Sequence, residues 1–264
     1  MNCLLHYCSY LLLYLKTRRN LDHELEPSAI DIRLVALLDE SKLSSRMILN
    51  TFEVSKFIAR AKKTYSCGES SHEWFRLFYF QVQKLDLRLQ AWERDAFADL
   101  KSYNTSKPNE ELSSTSQPTR KYPYPGPWTL SLWNKHRAAM ILLHHKFLEA
   151  LEGSASSSNF QDMYKQERRL SQMLICEIAA DLLASIPFSL AYKDYICSSA
   201  EPKSVGGYFL IWSLQVILRC PYAKDTQRRE AREALERVGR ECGLKYAAAY
   251  AKWFPFDSNQ NSTN

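Results

Sequence analysis

Glycine is scarce in this chain of 264 residues. There are 7, well under the average usage of about 7%. The scarcity argues against Gly-rich phosphate-binding loops and turn-dense β-sandwiches. Catalytic signatures are missing as well. The sequence holds no Gly-x-Gly-x-x-Gly, no P-loop, no Gly-x-Ser-x-Gly and no His-Glu-x-x-His. It is therefore not expected to be an enzyme, and no catalytic residue or cofactor is assigned. The 7 cysteines, at 3, 8, 67, 176, 197, 220 and 242, include no Cys-x-x-Cys. An odd count without regular spacing gives no disulfide framework. Reduced, buried thiols of an intracellular protein are the expectation. Cys3, His6 and Cys8 lie close together, but too few ligands gather there to expect a metal. A large excess of one charge is also lacking. Lys plus Arg is 35 against 29 for Asp plus Glu, a net +6. That is much less than a chain devoted to gripping nucleic acid would carry.

Long apolar runs are few. Residues 1–15 form one, and Lys16, Arg18 and Arg19 follow it. A signal peptide carries its charge before the run. The run also falls short of the roughly 20 residues of a membrane-spanning helix. Leu4, Tyr7, Cys8, Leu11, Leu12 and Leu15 recur at helical spacing, which favours a buried helix over a membrane anchor. A nuclear or cytoplasmic protein without membrane association is expected. Asn104-Thr105-Ser106 and Asn261-Ser262-Thr263 match the glycosylation pattern by chance on that reading.

What is present is bulk and helical periodicity. Hydrophobic residues make up 45% and aromatics 12%, enough for a well-filled core. Ser28 to Asp31 resembles a capping box after Pro27, with Ile30, Leu34, Leu37 and Leu38 as an apolar face. Leu43, Met47, Phe52, Phe57, Ile58 and Ala61 fit a second helix. Trp74, Phe75, Phe78, Tyr79, Val82, Leu85, Leu89 and Trp92 fit a third, long one. Residues 101–127 lose the pattern, are rich in Pro, Ser and Thr, and read as a disordered insertion.

Helicity resumes at Trp128 and ends near Gly153. After a Ser-rich break, residues 160–186 place Met163, Tyr164, Leu170, Leu174, Ile178 and Leu182 on one face, with Pro187 as the stop. Gly206-Gly207 opens a segment apolar nearly all round, a central buried helix. The next helix, residues 225–242, carries Arg228, Arg229, Arg232, Arg237 and Arg240. Glu230, Glu233, Glu236 and Glu241 interleave with them, and Arg229–Glu233, Arg232–Glu236, Arg237–Glu241, Glu233–Arg237 and Glu236–Arg240 fall at i,i+4 spacing. Such pairs are worth about 0.2–0.5 kcal/mol each on an exposed helix, and the carboxylates would repel phosphate. Ala231, Leu235, Val238 and Cys242 supply its inner side. Gly243 is a helix C-cap, and a short helix follows to Trp253. Residues 253–264 read as a disordered tail.

The clearest candidate for binding is the face of the helix after Trp128. Trp133, His136, Arg137 and His144 lie together there, with Met140. They could line a small-molecule pocket. No carboxylate or Cys stands at metal-ligand spacing beside the histidines, so no metal is expected.

Four segments follow one another in order: YPYPGPWTLSLWNKHRAAMILLHHKFLEAL, CEIAADLLASIPFSL, GGYFLIWSLQVILRC and RREAREALERVGRECGLKYAAAYA. Together they resemble the C-terminal half of fungal zinc binuclear-cluster transcription factors, the fungal-specific transcription factor homology region. The specific matches are Trp133-Asn134…Arg137, Ala184-Ser185-Ile186-Pro187, Gly206-Gly207-Tyr208-Phe209 and Arg237…Gly239-Arg240…Gly243. They span roughly residues 122–252. The family's pattern is usually aromatic at position 136, often basic at 140 and often Pro at 213. Here those residues are His136, Met140 and Ser213. The family's six-cysteine DNA-binding cluster is not in this chain, so zinc and DNA contact do not carry over.

The resemblance implies an all-helical regulatory region that restrains an activator, senses a small-molecule effector or contacts a transcriptional partner protein. The expected architecture is all-α, a single irregular multi-helix bundle over residues 1–252. The expected function is regulation of transcription by RNA polymerase II, without direct nucleic-acid contact. The rival readings are a helical small-molecule-binding protein or enzyme using the Trp133/His136/Arg137/His144 face, and a membrane-anchored protein using residues 1–15.

Overall fold

Helical periodicity governs the whole described chain. A computed structural model describes residues 16–17, 19–21, 23–66, 72–105, 124, 126–153, 162–191 and 203–253. Among these, every regular element is an α-helix. In chain order they are α1 (Ala29–Val35), α2 (Leu43–Ser66), α3 (His72–Thr105), α4 (Pro127–Gly153), α5 (Lys165–Ala184), α6 (Ile186–Ala191), α7 (Lys203–Arg219), α8 (Asp225–Glu241) and α9 (Lys245–Trp253). The all-α expectation is met. The readings of residues 1–15, of most of the insertion, of the Ser-rich break and of the tail after Trp253 lie outside the described residues. So do Cys3, Cys8, Cys67 and Cys197.

The chain divides into two compact units. One is Met1–Pro125 with Leu142–Gln172; the other is Gly126–Ile141 with Met173–Asn264. In the first, α2 packs on α3 through the apolar stripes read from the sequence. Met47, Ile58, Phe75, Leu89 and Trp92 are fully buried. The Trp92 indole N–H donates to the Leu43 carbonyl at 2.8 Å, which satisfies its one polar atom. Phe75 meets Tyr164 edge-on at 4.9 Å and lies 6.1 Å from Phe147, so the end of α4 shares this core. Helix α3 runs to Thr105. The insertion expected from residue 101 therefore starts later, because Leu100 is still buried at helical spacing from Ala96.

In the second unit α7 is buried continuously from Leu210 to Leu218, as its all-round apolarity requires. Helix α8 lays Ala231, Ala234, Leu235 and Val238 inward, and α9 adds Ala247 and Ala251. Gly243 follows the α8 cap with φ +69°, the left-handed conformation that favours glycine at a helix end.

Several expectations need correction. On α1 the apolar face is not buried: Ile30 is 58% and Leu37 61% exposed. The inward residue is Asp31. Its carboxylate accepts from the Ser28 N–H at 2.7 Å and the Ser28 hydroxyl at 2.8 Å, and Lys16 lies 3.2 Å away. Burial pushes this carboxyl up, but the Ser28 hydrogen bonds and the Lys16 ammonium outweigh it and hold it below its ordinary value. Of the face expected for residues 160–186, Tyr164 and Leu182 are buried, but Met163 and Leu170 are exposed, and on α5 Ser171, Ile175 and Ala179 turn inward instead. Pro187 does not stop the helical run. The chain turns at Ser185, and Pro187 sits in the first turn of α6, where its missing N–H is tolerated. Cys242, expected on the inner side of α8, is only half-buried.

The inverted face of α1 makes a direct prediction. Asp31→Ala is expected to lower stability by about 1–3 kcal/mol, the usual cost of stranding buried partners. Ile30→Ser is expected to stay within about 0.5 kcal/mol of wild type. Urea denaturation followed by circular dichroism measures both. The opposite ranking would restore the apolar-face reading.

Candidate functional site

A helix brings residues three and four apart onto one face, so α4 aligns Trp133, His136 and Arg137. All three belong to the second unit. Trp133 and His136 are buried, each 3% exposed. Their rings meet edge-on with centroids 6.2 Å apart. The Arg137 guanidinium lies 5.8 Å from the Trp133 ring centroid and donates to Asn134 Oδ1 at 2.9 Å. These three therefore gather around Asn134.

His144 serves a different cluster, in the first unit. Its Nδ1 is 3.1 Å from Ser171 Oγ, and its Nε2 is 3.5 Å from Asp86 Oδ1. A Ser–His–Asp series invites an acyl-transfer reading. Ser171, however, stands inside α5, where backbone N–H groups are bonded to carbonyls four residues back. None is left there to hold an oxyanion. Ser171 is also buried. The series is explained by polar satisfaction of a buried imidazole.

Asn134 ties the second unit together. Its Nδ2 donates to Ser185 Oγ at 3.0 Å, and Ser185 Oγ donates to the Leu182 carbonyl at 2.6 Å. Ser185 has one hydroxyl proton. Its other contact, with Asn134 Oδ1 at 3.1 Å, competes with the shorter bond. The relay from Asn134 through Ser185 to Leu182 leaves Oδ1 to Arg137. Ser213 on α7 donates to the Asn134 main-chain carbonyl at 3.2 Å. A Pro at 213, as the resembled family often has, could not make this contact.

The other motif residues are also in close packing. A Cβ placed on Gly206 would lie 1.8 Å from the Ser189 carbonyl oxygen, and one on Gly207 would lie 2.6 Å from Cys242 Sγ. The specific matches of the four segments, around Asn134, Ser185, Gly206 and Cys242, thus all lie in the second unit.

Lys135 does not stand out by spacing, yet it is the most unusual residue here. It is 3% exposed. Its Nζ lies 4.9 Å from the Trp128 ring centroid and 5.9 Å from that of Phe209. The two rings meet edge-on at 5.8 Å. Burial pulls the Lys135 pKa from 10.5 down to about 7. The ring faces favour the ammonium, by about 2 kcal/mol or more for a desolvated cation. Desolvation wins, since each tenfold loss of proton affinity corresponds to about 1.4 kcal/mol. The clue in the sequence is one helical turn away: Leu132, Ala138 and Ala139, all buried, flank Lys135 on its own side of the helix. Cys220 is also buried, and burial pushes its thiol up to about 11, which keeps it protonated and unreactive. Among the described residues, no three His, Cys, Asp or Glu come together to hold a metal ion.

Lys135 predicts a pH dependence. Between about pH 7 and 10.5 the unfolded chain holds a proton at this residue that the folded chain has released. Stability therefore rises with pH across that window, by up to about 1.4 kcal/mol per pH unit. Below pH 7 both states are protonated and the full penalty of burial applies. Lys135→Met is expected to stabilise the protein most at pH 7 and below, with the gain shrinking towards pH 10. Thermal midpoints of both proteins across that range check it, and a gain independent of pH would refute it. No family model, curated protein or solved structure matches the chain, so its function has to be argued from its own residues.

Proposed function

We propose that this chain is the regulatory, non-DNA-binding region of a fungal transcription-factor-like protein, acting in the nucleus on transcription by RNA polymerase II. It acts by binding: an effector or partner protein shifts its helices between packings, by no more than its differential affinity for them. The observation that carries the reading is the mutual packing of the four resembling segments. Asn134 bonds Ser185, Gly206 abuts Ser189, and Gly207 abuts Cys242. Residues far apart in sequence that fit one another this closely read as the signature of one fold.

The charge distribution supports the non-DNA-binding part. On α8, Arg228 pairs with Asp225 at 2.6 Å and Arg237 with Glu241 at 2.9 Å. Arginines already paired with carboxylates are poor phosphate ligands. No zinc is assigned, because the family's six-cysteine cluster is absent from this sequence.

Fusion of the whole chain to an unrelated DNA-binding domain tests the reading in a fungal reporter strain. Reporter output is expected to change at least several-fold relative to the DNA-binding domain alone. The free chain is expected to bind duplex DNA no tighter than non-specific proteins do, about 10⁻⁴–10⁻⁶ M at physiological salt. An inert, well-expressed nuclear fusion, or nanomolar DNA binding, would overturn the proposal.

A further inference from the structure

Helix α3 carries a second apolar stripe that the regulatory reading does not use. Its inner stripe, with Phe75, Val82, Leu89 and Trp92, is buried in the first unit. On the opposite side Leu77, Phe80 and Leu87 are 58%, 60% and 62% exposed. Single exposed apolar side chains are ordinary. These three are not scattered. Positions 77, 80, 84 and 87 follow the three-four alternation by which one helix presents a seam to another. At a rise of about 1.5 Å per residue, the seam from Leu77 to Leu87 is about 15 Å long.

Charge on this face has nearly one sign. With a turn of about 100° per residue, Arg76 and Arg94 border the seam on one edge and Arg88 on the other. Lys84 stands within it. All four are exposed, and among the described residues no carboxylate pairs with any of them. Asp86 and Glu93 are half-buried and lie off this face. Asp86 is held by Gln90 at 2.8 Å. Asp95 is taken by Arg46 at 2.6 Å. Glu73, one turn before Leu77, is the one exposed acid along residues 73–94. Four cations against one acid leave that stretch strongly positive.

The charge selects the occupant. A second copy of the chain would set like charges against each other across a two-fold pairing. A lipid surface would have to take in the stripe with Lys84 inside it, and dehydrating an ammonium is costly. The two longest segments outside the described residues do not supply the balancing charge either. Residues 1–15 hold no acid, and residues 106–123 hold Glu110 and Glu111 against Lys107, Arg120 and Lys121.

We propose that the outer face of α3 docks an amphipathic helix with acidic flanks, supplied by a partner protein. Apolar side chains of that helix cover Leu77, Phe80 and Leu87. Its carboxylates meet Arg76 and Arg94 along one edge and Lys84 and Arg88 along the other. Charges beside such a seam set partner choice and orientation. The inference does not depend on the transcriptional reading, since α3 lies outside the region of resemblance.

A labelled synthetic peptide tests it by fluorescence anisotropy with the full chain. The peptide has three seven-residue repeats, with Leu at the first and fourth places and Glu at the fifth and seventh. Saturable one-to-one binding in the micromolar range is expected, weakened by salt. A scrambled peptide of the same composition keeps the charge and loses the seam, and is expected to bind at least tenfold more weakly. Leu87→Ser is expected to weaken binding about tenfold, through the lost apolar burial. Arg76→Glu combined with Arg94→Glu is expected to abolish it. Unchanged circular dichroism and thermal midpoint would show that these surface variants fold. No saturable binding up to millimolar peptide, equal binding of the scrambled peptide, or equal binding by wild type and both folded variants would overturn the proposal. So would capture of phosphatidylserine vesicles without peptide binding, or a dimer of the chain that Leu87→Ser dissociates, which would assign the face to lipid or to a second copy. Peptide binding together with an inert reporter fusion would remove the regulatory reading and leave the assignment of this face intact.

Discussion

The second unit depends on Asn134. Its side chain reaches the turn between α5 and α6, its main-chain carbonyl takes the hydroxyl of Ser213 on α7, and its Oδ1 takes Arg137. All of this happens where Asn134 is 2% exposed, so water does not repair a lost bond. A buried polar group left alone costs about 1–3 kcal/mol. Apolar packing alone tolerates many rotations of one helix against another. Hydrogen bonds with fixed direction do not. The node therefore selects one register of α4 against α6 and α7 from those that the leucines and alanines would allow. Gly206 then lets α7 approach the Ser189 backbone within that register.

Legibility in the sequence followed a physical rule. Helices α2, α3 and α7 were readable because their cores are aliphatic and aromatic, and apolar periodicity reports such burial directly. The expected face of α1 is wrong and that of α5 is only partly right, because polar residues turn inward on them. Asp31 is buried with Ser28 and Lys16, and Ser171 is buried beside His144. A hydropathy pattern counts both as surface. The partners that change this lie up to 27 residues away, as His144 does from Ser171.

The candidate site was legible in the same uneven way. The Trp133–Arg137 stack is a local i,i+4 contact and could be anticipated from spacing. Lys135 could not, since lysine is ordinarily a surface residue. Only the apolar residues one helical turn away, Leu132, Ala138 and Ala139, hint at its burial. His144 shared a helical face with the others in sequence, but its hydrogen bonds join it to a different set of residues.

These residues bear on function through what they are already used for. The residues on which the proposed transcription-factor reading rests are engaged in packing: Asn134 with Ser185, Gly206 with Ser189, Gly207 with Cys242. Such a signature specifies a fold and leaves the choice of effector to other residues. A unit that responds to binding also needs its alternative packings within a few kcal/mol of each other. An entirely apolar core would favour one packing too strongly. Lys135, held between Trp128 and Phe209 at the cost of its charge, works against that. Any rearrangement that lets its amine reach water recovers part of the desolvation penalty. On the proposed regulatory reading, a buried lysine would narrow the gap that an effector has to close, while the Asn134 node keeps the observed packing unique.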